Sequence, residues 1–144
     1  EGINSRMDGI QAAILNVKMK YIERWTDMRR KAAENYTNLL KDVTEITAPR
    51  QNTDNKHVYH LYVIKCKFRN ELKKYLGEMG IQTSVNYNKA LPYYKAYQYL
   101  GHSSLDFPNS YANQETILSL PIYPEISHQA QHYIIEQISN FLKK

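Results

Sequence analysis

The sequence has 144 residues, 42% of them hydrophobic, enough for one domain with a buried core. Lys and Arg number 19 against 14 Asp and Glu, a net charge of +5 that suits anionic partners, from phosphorylated small molecules to nucleic acid. No apolar run approaches the ~20 residues of a membrane helix, the first residues lack the basic-then-apolar pattern of a secretory signal, and the single cysteine excludes an intrachain disulfide or a multi-cysteine zinc site and fits a cytoplasmic location.

The opening stretch "GINSRMDGIQAAIL" is a polar turn feeding a helix. Ile10, Ile14, Val17, Tyr21, Trp25, Met28, Ala32, Tyr36 and Leu39 follow in steps of three and four, the period of an amphipathic helix. Ser5 and Asp8 make an acidic variant of a capping box, so the helix is expected to start near Ser5 and run to about Lys41. Unbroken, it would be roughly 55 Å long, whereas a domain of this size has a radius of gyration of about 14 to 15 Å. The helix is therefore expected to break or overhang at its front, a bend falling near Lys20 and Tyr21. Its polar start is expected to face a part of a larger protein outside this sequence.

A polar loop from Thr47 to Lys56 precedes "HVYHLYVIKCKF", whose Val, Tyr and Ile content predicts a strand. Asn70 is expected to cap a short helix, "ELKKYLGEMG", stopped by Gly80. "IQTSVNY" reads as a second strand, and "ALPYYKAYQYLG" as a helix with Pro92 at its start and Gly101 past its end. "DFPNSYANQETILSL" reads as helical and "PIYPEI" as extended. Ser127 caps a last helix with Ala130, Tyr133, Ile134, Ile138 and Phe141 as its inward stripe. Two or three strands among helices, not in strict alternation, predict an α+β domain.

Self-sufficient catalytic signatures are missing: no glycine-rich phosphate loop, no G-x-S-x-G and no H-E-x-x-H. His128 and His132 are one helical turn apart, but with no third ligand of matching context they read as surface histidines, and the metal expectation is none. His57 and His60 would fall on opposite faces of a strand, one of them free to line a pocket. Cys66 reads as an inert core residue, and the thirteen tyrosines chiefly as packing.

"GINSRMDGIQAAILNVKMKYIERW", "HVYHLYVIK", "MGIQTSVNY", "ALPYYKAYQYLG" and "ILSLPIYPEIS" together resemble, in order, the C-terminal part of the DegT-type (DegT/StrS) sugar aminotransferases. These are pyridoxal-phosphate enzymes that aminate keto sugars carried on nucleotides. The resemblance implies the small C-terminal domain of a type I aminotransferase fold, with residues 1–42 as a long helix linking to a large domain and 55–144 as a small α+β domain with an antiparallel sheet. It implies a homodimer formed through the first helix and turn, an amino donor such as glutamate, and a place in making amino sugars for surface polysaccharide or a related glycan. The lysine that forms the Schiff base lies upstream of the "GINSRMD" segment in the family, so the resemblance puts no catalytic residue in this chain and implies that it is inactive alone.

By the same resemblance, Asn4 matches the residue whose amide reaches the cofactor phosphate of the opposite subunit, and Arg6 either approaches an anionic group or braces the interface. A helix N-terminus, with its unpaired N–H groups, would favour that phosphate. Where many members read His-Tyr-Pro this chain has Asn86, Tyr87 and Asn88, leaving Tyr87 as a substrate or interface residue. "ALPYYKAY" is reminiscent of members acting on dTDP-linked keto deoxyhexoses. A competing reading is a stand-alone basic, tyrosine-rich module that uses "KMKYIERWTDMRRK" on nucleic acid or a protein partner.

Overall fold

The computed structural model describes residues 3–52 and 54–143. Glu1 and Gly2 of the opening motif, Thr53 of the polar loop and Lys144 lie outside the described residues. The expected long helix is in two pieces, α1 (Gly9–Met19) and α2 (Ile22–Leu39), separated by a turn at Lys20 and Tyr21. The division follows burial. No residue of α1 is buried, and Ile10 and Ile14 are 74% and 54% exposed, whereas α2 buries Ala32, Ala33 and Tyr36. Among the described residues, only the second half of the periodic stripe is buried against partners.

β1 (Tyr62–Lys65) and β2 (Ile117–Leu120) pair antiparallel, with Tyr62 opposite Leu120 and Ile64 opposite Leu118. Residues directly opposite share a face, so these four side chains form one buried layer. Isolated bridges widen the pair on both sides, Thr47 to Lys65 beyond β1 and Ser84 to Ser119 beyond β2. Against this sheet pack α2, α3 (Arg69–Glu78) and α5 (His128–Leu142), which contribute Tyr36, Leu72, Leu76, Ile134, Ile135 and Ile138 to the core. Each such side chain fully buried contributes about 1.5 to 3 kcal/mol. The result is an α+β arrangement of helices on a small antiparallel sheet.

Several local expectations change. The strand over "HVYHLYVIKCKF" is confined to Tyr62–Lys65, because Tyr59 adopts a positive φ of 48° and the carbonyls of Tyr59 and His60 accept from the Arg29 guanidinium rather than from a ladder. "ILSL" is not the end of a helix. α4 (Pro108–Thr116) stops where Ile117 turns extended, and the pairing with β1 then buries Leu118 and Leu120. "IQTSVNY" is reduced to the single bridge at Ser84. "ALPYYKAYQYLG" forms two 3-10 turns, Leu91–Tyr93 and Lys95–Leu100, bounded as expected by Pro92 and by a left-handed Gly101. Phe68, not Asn70, precedes α3, and Asn70 accepts from Arg69 Nε at 2.7 Å instead.

Two helix ends follow the sequence closely. Ser127 accepts from the Ala130 N–H at 3.1 Å at the start of α5. After α3, Gly80 takes a φ of 76°, and the Ile81 and Gly80 N–H groups bond the Leu76 and Gly77 carbonyls, a Schellman stop that a Cβ would strain.

Candidate functional site

The stretch ahead of α1 is exposed and belongs to no helix or strand. Asn4 and Arg6 stand on it with no hydrogen bond or ion pair to any of the described residues, so both side chains are available to something outside the chain. The cap of α1 differs from the Ser5 expectation. Asp8 is the N-cap, accepting from the Ile10 N–H at 2.7 Å, while Gln11 Oε1 accepts from the Asp8 N–H at 2.9 Å. Asp8-Gly9-Ile10-Gln11 is itself a capping box, and with helical φ and ψ beginning at Gly9 the Ser5 hydroxyl is too early to reach it. A carboxylate therefore occupies the α1 N-terminus. A phosphate would meet that charge, so any phosphate contact here rests on the Asn4 amide and the Arg6 guanidinium rather than on the helix end.

Tyr87 lies elsewhere in the sequence, beyond the Ser84 bridge, 71% exposed and with the Asn86–Tyr87 peptide cis. No hydrogen bond or ring contact among the described residues joins it to Asn4 or Arg6. Beside it is an arrangement the sequence reading missed. The Oδ1 of Asn86 accepts from Ser84 Oγ at 2.8 Å and from Ser119 Oγ at 3.0 Å. The available signals were a serine inside the apolar strand "ILSL" and the i, i+2 spacing of Ser84 and Asn86, which puts both on one side of an extended chain. Ser84 and Ser119 also line a cleft of 340 Å³ with His60, Gln82 and Thr83. In its wall the Thr83 hydroxyl is buried with no hydrogen-bond partner among the described residues.

His57 and His60 are not on a strand. His57 Nδ1 accepts the Tyr59 N–H at 2.9 Å, while His60 lines both the cleft above and a groove of 550 Å³ at the α1–α2 junction, walled by Leu15, Met19, Ile22, Trp25 and Arg29. His128 and His132 are exposed on α5. Cys66 is buried, and burial pushes its thiol above the ordinary range, as an inert core residue requires. The basic stretch of α2 is turned inward in part: Arg29 donates to the Tyr59, His60 and Ile122 carbonyls, and Arg30 to that of His57. Glu23 and Asp27 add exposed pairs with Lys56. The nucleic-acid module finds no support in this use of its cations.

The model of the DegT/DnrJ/EryC1/StrS aminotransferase family matches residues 1–139. The chain belongs to this family. It is 38% identical over 99% of its length to a pleiotropic regulatory protein of Geobacillus stearothermophilus. It is 33% identical over 98% to a dTDP-3-amino-3,6-dideoxy-α-D-galactopyranose transaminase of Aneurinibacillus thermoaerophilus. These matches span 39% and 38% of those relatives' own lengths, so the chain corresponds to about two-fifths of each. Among solved structures it superposes on DesV of S. venezuelae, crystallised with a ketimine intermediate, with a TM-score of 0.92 at 26% identity, covering 100% of this chain and 39% of that one. Spr1654 of Streptococcus pneumoniae, solved in its PLP form, gives 0.83 at 26% identity over 94% and 36%. Members of the DegT family thus carry this fold as part of a longer aminotransferase chain.

Proposed function

We propose that this chain is the small C-terminal domain of a type I, pyridoxal-phosphate-dependent aminotransferase that places an amino group on a keto sugar carried by a nucleotide. The observation that carries the reading is family membership across residues 1–139, joined to close superposition on DesV crystallised with a ketimine intermediate. The Schiff-base lysine belongs to the remaining three-fifths of the enzyme, so the chain by itself does not transaminate. Glutamate is the proposed amino donor, and the enzyme works as a homodimer in the cytoplasm.

The residues present fit the cofactor's phosphate. The Asn4 amide offers a neutral donor and the Arg6 guanidinium a cationic one, both on an exposed stretch with no competing partner among the described residues, and the carboxylate of Asp8 accepts from its own helix. When bound, pyridoxal phosphate supplies the carbonyl that carries the amino group and the ring that takes up charge. What this chain contributes is binding and orientation. Asn4 and Arg6 hold a phosphate, across the subunit boundary in the dimer, and Tyr87 presents its exposed phenol to the substrate or to the neighbouring subunit. The unpartnered apolar side of α1, with Ile10, Ile14 and Val17 exposed, covers the large domain or the partner subunit and keeps water from that boundary.

The test is spectroscopic. The complete enzyme mixed with pyridoxal phosphate is expected to develop the visible absorbance band of a lysine imine of the cofactor and to lose it on adding glutamate. Residues 1–144 alone are expected to give no stoichiometric, borohydride-reducible lysine adduct. A single reducible adduct in the isolated chain, or a complete enzyme indifferent to glutamate, would overturn the assignment.

A further inference from the structure

Beyond β2 the sheet ends at residues 81–85, held by the single Ser84–Ser119 bridge, in which the Ser84 N–H donates to the Ser119 carbonyl at 3.2 Å and the Ser119 N–H to the Ser84 carbonyl at 2.8 Å. Local chemistry keeps this ladder short. The next pairing on one side would need a donor from residue 121, a proline, and on the other from Ile117, whose N–H already bonds the Asn113 carbonyl of α4. On either side of a bridged residue the backbone groups point to the opposite edge. Those of Thr83 and Val85 therefore face away from β2, and the Thr83 N–H and carbonyl and the Val85 N–H have no hydrogen bond among the described residues. The Thr83 hydroxyl is buried without one as well.

A sheet edge left to solvent is normally blunted by charge, proline or a bulge. The opposite edge is built that way, since the segment bridged to β1 at Thr47 carries Glu45, Pro49 and Arg50. Residues 81–85, Ile-Gln-Thr-Ser-Val, have no charge, no proline and three β-branched side chains, the composition of a strand paired on both sides. We propose that this edge is completed by β-augmentation: an extended, uncharged segment of the same polypeptide, from the three-fifths of the enzyme outside this chain, adds a strand along residues 83–85. The inference rests on the reading of the chain as part of a longer aminotransferase, and the relatives of which it spans 39% and 38% supply the length of chain from which such a strand is drawn. A segment tethered to the edge meets it at a high effective concentration, which favours it over a second copy. Its carbonyls accept from the Thr83 and Val85 N–H groups, its N–H donates to the Thr83 carbonyl, and the main chain thereby fastens this domain to the rest of the enzyme.

The test is hydrogen–deuterium exchange, read amide by amide, on the complete enzyme with pyridoxal phosphate and no sugar nucleotide. The Ser84 amide, bonded within this chain, is the internal standard. The Thr83 and Val85 amides are expected to exchange about a hundredfold more slowly than unstructured amides. With p-benzoylphenylalanine in place of the exposed Gln82, irradiation is expected to join this position to a peptide from outside residues 1–144 at the mass of one subunit. Fast exchange at Thr83 and Val85 beside a slow Ser84, in an enzyme that forms its lysine imine, would overturn the inference and leave the aminotransferase reading standing. A cross-linked species of twice the subunit mass would overturn it in favour of a second copy, and protection that appears only on adding a sugar nucleotide would overturn it in favour of a ligand. Fast exchange at both amides in an enzyme that forms no imine would overturn inference and reading together.

Discussion

Gln131 and Ala32, 99 residues apart, are joined by a buried hydrogen bond of 2.8 Å from Gln131 Nε2 to the Ala32 carbonyl, and the other end of the same amide accepts from Asn35 Nδ2 at 2.9 Å. A glutamine 1% exposed is thereby satisfied at both ends and ties α5 to α2. Replacing it with leucine keeps the volume and removes both bonds, leaving the Asn35 amide without its acceptor. Gln131→Leu is expected to lower stability by about 1 to 2 kcal/mol in urea denaturation, and Gln131→Glu by more, since it faces a carboxylate with a carbonyl oxygen.

Alkaline pH is expected to unfold the core. Burial pushes the Tyr62 phenol up to about 12, against the lowering pull of its bond with Thr37, and raises Tyr36 as well. A tyrosine whose folded pKa is raised gives up its proton first in the unfolded chain, near pH 10. Its contribution is thus complete below about pH 10 and is lost as pH climbs from there towards the folded value. Urea midpoints measured at rising pH are expected to hold steady up to pH about 9 and fall beyond it, with a shallower fall in Tyr62→Phe.

Arg29 is expected to be worth more to the fold than an exposed helix charge. Its Nη1 lies within 3.0 to 3.3 Å of the Ile122, His60 and Tyr59 carbonyls and anchors the irregular run before β1 to the segment after β2. Arg29→Met keeps the stem and deletes the donors. A loss of about 2 kcal/mol is expected, whereas Lys31→Met, on an exposed position of the same helix, is expected to change stability little.

Self-association follows from α1. With Ile3, Met7, Ile10, Ile14 and Val17 all more than half exposed, the isolated chain is expected to form dimers or larger species by light scattering. The double substitution Ile10→Lys and Ile14→Lys is expected to shift it towards monomer while leaving the urea midpoint unchanged, because α1 buries nothing in the core.

Asn4→Ala in the complete enzyme removes one charge-assisted bond to the proposed phosphate. That bond is worth roughly 1.5 to 3 kcal/mol, so cofactor affinity is expected to fall by about ten- to a hundredfold in equilibrium titration. Binding as tight as wild type would leave Asn4 as a residue of the turn alone.

What the sequence determined by itself is mostly what short-range chemistry controls. Ser127 and Gly80 end their helices through bonds reaching only a few residues, so their positions could be read directly. The same holds for Pro92 and Gly101 and for the α2 stripe of Ala32 and Tyr36. The family, too, was legible, because its segments keep their order along the chain. Tertiary structure decided the rest. Apart from Pro121 just after it, "ILSL" has no local reason to leave a helix; it becomes β2 because Leu118 and Leu120 bury opposite Ile64 and Tyr62. The stripe from Ile10 to Leu39 is one periodic pattern, yet only the part facing α5 and the sheet is buried, since periodicity marks a face without saying whether a partner is present. The clasp of Ser84 and Ser119 on Asn86 was the least visible of all. It exists because a backbone bridge brings together residues 35 positions apart in chain order, a long-range juxtaposition that no local pattern encodes.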